Sequence, residues 1–170
     1  MRLAAICVMA LGAAQPSFAQ IAISYVDSAP TDIFDITNLS PCPSGQMELT
    51  IDLTESTAGL VFDTVPQGQG VNVSQPFVLS VGAEYLEGVP IVSDGAAQLT
   101  LRIADLPADG RITFTIDVDD TLPQSFNGQT RVSGVEIAGA AVRLSGDAAF
   151  GEGAFDANGQ ALVGLNTCLS

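Results

Sequence analysis

The residues of this chain that could do chemistry are carboxylates. The densest group is Asp117-Val118-Asp119-Asp120-Thr121. In a strand, Asp117 and Asp119 project from the same solvated face, and Asp120 falls where the strand leaves into a turn ahead of Pro123. Carboxylates this close repel one another unless a cation or a hydrogen-bonded turn relieves them. Calcium suits such a group, because it takes about six to eight oxygen ligands in loose geometry. The spacing is not that of an EF-hand loop, which alternates acids around a glycine and ends on a distant Glu. The competing reading is a solvated strand end whose aspartates bond nearby backbone amides. A metal site at Asp117, Asp119 and Asp120 would also need oxygens from another segment. Asp63, Asp156, Asp32 and Asp35 are the candidates, and each taken singly reads as a turn residue or Asx cap.

What is missing narrows the chemistry further. The 170 residues include 19 acids against 5 basic residues, all arginine, with no His, no Lys and no Trp. Without His there is no Ser-His-Asp or Cys-His nucleophile system and no imidazole metal ligand. Without Lys there is no Schiff base and no phosphate-binding lysine. A net charge of −14 without basic clusters argues against nucleic acid and anionic lipid as partners. Carboxylate-only hydrolysis of a polysaccharide stays chemically open, because glycosidases use two acids. The chain nevertheless reads as a non-enzyme, since it lacks an Asp-Thr-Gly triplet and offers few aromatic platforms for a sugar. Acidity alone needs no partner, because excess Asp and Glu aids solubility.

These acids must be held by a framework, and the chain begins with a segment that does not belong to it. Arg2, the uncharged run Leu3 to Ala14 and the small residues of Ser17-Phe18-Ala19 read as a signal peptide over residues 1–19. Export to the periplasm or the extracellular space follows. Cys7 sits too early, behind bulky Ile6, for a lipoprotein signal. Residues 20–170 then form one domain, with no transmembrane segment in the mature part. Cys42 and Cys168 are its only thiols, and in an oxidising compartment an intramolecular disulfide is the default.

Apolar residues recur with a period of two almost everywhere. Met47, Leu49, Ile51 and Leu53 alternate with polar residues, as do Leu99, Leu101 and Ile103, and Ile112, Phe114, Ile116 and Val118. Shorter runs at 21–26, 32–37, 60–63, 70–73, 77–81, 132–137 and 141–144 read as further strands. Ser93-Asp94-Gly95, residues 105–110, Asn127-Gly128 and Asn158-Gly159 read as turns. Asn158-Gly159 has the composition of a type I′ hairpin turn, and Gly134 and Gly139 suggest bulges or corners. The pattern predicts an all-β fold, an antiparallel two-sheet β-sandwich of jelly-roll or immunoglobulin-like topology, with little or no helix after the signal peptide.

The stretch 32–40 (Asp-Ile-Phe-Asp-Ile-Thr-Asn-Leu-Ser), with Met47 to Leu53, Ala58 to Thr64 and Phe114 to Leu122, resembles small secreted bacterial proteins labelled "aggregation factor core". That label is borrowed from the core protein of the sponge aggregation factor. The resemblance spans roughly residues 32–144. It implies calcium-dependent cell adhesion through an extracellular assembly and carries over no catalytic residue. Multivalent adhesion needs several linked sites, which one small domain does not supply. The expectation is therefore an exported interaction module of the cell surface or matrix, with a protein or glycan partner and calcium as its cofactor. Two alternatives stand beside it: a structural subunit that self-associates through strand edges, and the carboxylate hydrolase.

Overall fold

A computed structural model describes residues 19–166, apart from 29, 72, 123–130, 147 and 148. The expected signal peptide up to residue 18, Cys168 and the expected Asn127-Gly128 turn lie outside the described residues. Strands make up 45% of the described residues and helices 7%, so the expected all-β character with little helix holds.

Among the described residues ten strands build two antiparallel sheets. They are β1 (Gln20–Val26), β2 (Asp32–Asn38), β3 (Met47–Asp52), β4 (Leu60–Asp63), β5 (Val78–Val81), β6 (Gln98–Ile103), β7 (Arg111–Asp120), β8 (Ala141–Ser145), β9 (Phe150–Ala154) and β10 (Gln160–Gly164). The first sheet runs β10-β1-β2-β7-β4, with β5 also on β7; the second runs β6-β3-β8-β9. Alternation directs Phe34, Ile36, Ile112, Phe114 and Ile116 from the first sheet and Leu49, Ile51, Leu99 and Leu101 from the second into one continuous apolar core. Phe34 stacks on Phe114 at a centroid distance of 5.2 Å, which locks β2 to β7 where their residues pair. Among the described residues no helix is long and apolar enough to cross a membrane.

Several local expectations differ from what is found. Residues 132–137 do not form a strand; Gly134–Ile137 make one helical turn, α1. The cause is the capping box Ser133-Gly134-Val135-Glu136, in which the Glu136 carboxylate accepts from the Ser133 N–H at 2.7 Å. Gly134 is needed for close approach, because a Cβ there would stand 2.8 Å from the Ala157 carbonyl oxygen. The Asn158-Gly159 turn is not type I′, since only Gly159 has positive φ, at 70°. It is a corner instead: β9 pairs with β8 in one sheet, and β10 pairs with β1 in the other. Residues 70–73 contain no strand among those described.

Candidate metal centre

β7 is long enough to serve two purposes. Its first half pairs with β2, and its second half, Asp117 to Asp120, pairs with β4. Ile112, Phe114, Ile116 and Val118 fill the core, so Asp117 and Asp119 emerge on the other face of the strand. The β4 register sets Asp63 directly opposite Asp117 and Val61 opposite Asp119. One carboxylate oxygen from each of Asp63, Asp117 and Asp119 lies within 4.8 Å of the other two.

That face was expected to be solvated, and it is not. After Asp63 the chain folds back over the acids as the loop from Thr64 to Val71. Asp63 and Asp119 are 0% exposed and Asp117 is 4% exposed, so none retains useful contact with water. The loop makes this possible through Gly70, where a Cβ would stand 2.2 Å from Asp119 Oδ2 and 2.5 Å from Asp63 Oδ2. The Val71 N–H donates to Asp119 Oδ2 at 2.6 Å, and the Gln75 N–H donates to the Asp63 carbonyl at 3.2 Å.

Asp94, on the turn before β6, holds the outer end of the loop. Its Oδ1 accepts from the N–H groups of Thr64 at 3.0 Å and Val65 at 3.3 Å, and its Oδ2 from that of Gln69 at 2.7 Å. These bonds, led by the one from Thr64, hold the Asp94 carboxyl below the usual carboxylate range.

The triad has far less relief, chiefly the Val71 bond to Asp119. Both oxygens of Asp63, Oδ2 of Asp117 and Oδ1 of Asp119 are buried without a hydrogen-bond partner. The described ion pairs lie elsewhere, joining Arg111 to Asp35, Arg131 to Asp27, and Arg143 to Asp52 and Glu152. Burial, followed by the charge on Asp119, pushes Asp63 up to about 6. Burial, followed by the charges on Asp119, Asp32 and Asp63, pushes Asp117 up to about 8. Burial also raises Asp119, against the hydrogen bond from Val71. Buried like charges without compensation must take up protons or a cation. With only oxygen donors, six carboxylate oxygens in all, the group suits a hard cation such as calcium. It offers no nitrogen or sulfur to a softer metal.

Of the acids singled out in the sequence, the fold brings together Asp117 and Asp119 and adds Asp63 from the second segment. Asp120 is not in this group. Alternation turns it to the face that carries Val118, where both its oxygens are buried and unpartnered. Asp32 accepts the Val118 N–H at 3.0 Å, and burial pushes it up to about 7 despite bonds from Tyr25 and Val118. Asp35 binds Arg111 and Thr113. Asp156 caps its own turn, accepting from the N–H groups of Asn158 and Gln160 at 2.8 and 3.0 Å. The role of Asp94 had no local signal, because the amides it binds come from a loop 25 to 30 residues earlier in the chain.

The fold and site together define a two-sheet antiparallel β-protein with three carboxylates buried beneath a loop. No protein-family model, curated protein or solved structure matches the chain.

Proposed function

We propose that this chain is an exported, non-enzymatic interaction module of the cell surface or extracellular matrix, whose fold is stabilised by calcium held at Asp63, Asp117 and Asp119. The convergence of three buried carboxylates, four of whose six oxygens have no hydrogen-bond partner, carries this reading. Three full charges left uncompensated in a dry site would cost far more than one domain can spare, whereas a divalent cation turns each repulsion into an attraction. Calcium here is a structural ion that holds β4, β7 and the covering loop together. A sandwich of jelly-roll or immunoglobulin-like type is the proposed topology, and its loops and outer sheet faces are the proposed contact surfaces. The signal-like leader and the resemblance to aggregation factor core proteins support export and calcium-dependent adhesion.

Thermal melting with and without millimolar calcium at pH 7.5 tests the reading. At about 100 times the dissociation constant the ion adds about 2.7 kcal/mol, or roughly 5–10 °C for a domain of this size. A melting temperature indifferent to calcium contradicts it. Self-association is the second reading, favoured by the exposed apolar side chains of Phe150 on β9 and Leu162 on β10, which are 73% and 55% exposed. Light scattering at rising concentration separates the two. A monomer that stays monomeric with and without calcium removes the second reading.

A further inference from the structure

The cation reading leaves one residue unused. Asp94 is not one of the three grouped acids, although its carboxylate lies beside that of Asp63, and it accepts three N–H groups from the loop that covers them. We propose that Asp94 is a positioning residue that latches the Thr64–Val71 loop over the cation, and so sets how fast the ion enters and leaves.

This rests on the cation reading, and it follows from burial. Asp63 and Asp119 have no exposed surface, so no ion can reach them while the loop is down. The loop is pinned at two places. Its inner end is held by the bond from the Val71 N–H to Asp119, which is itself a ligand. Its outer end is held by Asp94 alone of the side chains described, through Thr64, Val65 and Gln69. Between these points Gln67 is in the left-handed region at φ 62°, a conformation that a side-chain-bearing residue adopts at some cost and that the two anchors maintain.

Gly68 marks how tightly the latch fits. A Cβ there would stand 2.2 Å from Asp94 Oδ2, so a larger residue must push the carboxylate away. Opening therefore breaks charge-assisted bonds to Asp94 before it disturbs any ligand. The path for the ion runs through the outer end of the loop, and the inner end moves last.

Two substitutions weaken the latch while leaving the three ligand side chains in place; Asp94→Ala also removes a charge that lies beside Asp63, whereas Gly68→Ala retains it and so isolates the latch. Asp94→Ala removes the acceptor, and Gly68→Ala displaces it. Asp94→Asn retains one oxygen for Thr64 and Val65 but presents an N–H to the Gln69 N–H, so its effect should be intermediate. The full chain, loaded with calcium, is mixed with excess fluorescent chelator in a stopped-flow instrument, and the calcium-free melting temperature of each variant reports folding separately. The expected result is slow release from the unaltered protein, about tenfold or more faster release from Asp94→Ala and Gly68→Ala, and an intermediate rate for Asp94→Asn. Hydrogen exchange on the unaltered protein gives a second readout: the amides of Val65, Gln69 and Val71 should exchange together, and more slowly with calcium. If calcium binds but the variants release it at the original rate, or if these amides exchange no differently with calcium, the latch is wrong and the site stands. If the unaltered protein binds no calcium, both fall.

Discussion

Asp63 and Asp117 face each other directly across the β4–β7 ladder, two buried residues of the same charge at paired positions. Like charges placed so destabilise a sheet, and burial multiplies the effect. Asp119 adds a third carboxylate on the same face, and the folded-back loop seals all three from water. A sheet built this way is stable only when something neutralises the acids, and that dependence governs the predictions below.

Removing one charge should stabilise the calcium-free protein. Asp63→Asn keeps the size of the side chain and removes its repulsion with Asp117 and Asp119. In the presence of chelator its melting temperature should lie about 3–6 °C above that of the unaltered chain, equivalent to roughly 1–2 kcal/mol. Its response to calcium should vanish. An ordinary structural aspartate would show the opposite sign, a loss in both conditions.

The same charges fix the pH dependence. Asp117 is raised to about 8 and Asp63 to about 6, from an ordinary value of 3.8. Between 3.8 and these values the folded state holds more protons than the unfolded one, so stability contributed by the protonated acids is lost as pH rises. Calcium-free melting temperature should therefore fall between pH 5 and pH 8. Calcium competes with the protons, so its stabilisation should be larger at pH 8 than at pH 5. Asp52 works in the other direction. Burial opposes its charge, but bonds from Thr54, Arg143 and Gln98 outweigh burial and hold it at about 2, so its contribution is lost only as pH falls from 3.8 towards 2. Melting curves in a pH series with chelator and with calcium check both slopes.

The closure of the two sheets at β9 and β10 should be intolerant of side chains. A Cβ at Gly153 would stand 2.5 Å from the Leu162 carbonyl oxygen, and one at Gly151 would stand 2.3 Å from that of Gly164. Backbone cannot give way as a flexible side chain can. Gly153→Val should cost about 2–3 kcal/mol or more in denaturant unfolding, without changing the calcium increment.

In an oxidising compartment Cys42 and Cys168 are expected to form a disulfide. Asn38 fixes the turn that carries Cys42 by donating to the Cys42 carbonyl at 2.9 Å. The start of β1 is flanked on one side by Leu39 and on the other by Leu165, which donate to Gln20 and Ala19 at 2.9 and 2.8 Å. The described chain therefore ends one strand away from that turn. Thiol titration of the denatured, unreduced mature protein should find no free cysteine. Reduction should lower stability by up to about 4–5 kcal/mol.

Much of this architecture could be read from alternation. β3, β6 and β7 declare themselves because one face is apolar and the other polar, and their cores pack as that pattern requires. β9 was hidden because Gly151 and Gly153 carry no side chain to alternate, and their value lies in close approach to another strand. α1 was hidden by an apolar run, although the Ser-x-x-Glu box was present in it. At the site, strand parity alone places Asp117 with Asp119, and Asp63 could be named only as one candidate among four. Choosing it requires the β4–β7 register, a long-range pairing with no local mark. The burial of the acids depends on Gly70 and on Asp94, which act across the fold and whose neighbours in sequence say nothing of them.

Titration calorimetry of the full chain with calcium at pH 7.5, beside Asp117→Asn and Asp119→Asn, tests the cation site most directly. One calcium should bind per chain, with protons released because Asp117 must ionise to coordinate it, and both variants should show no binding. Absence of binding to the unaltered protein, or binding of equal strength to both variants, would contradict the account.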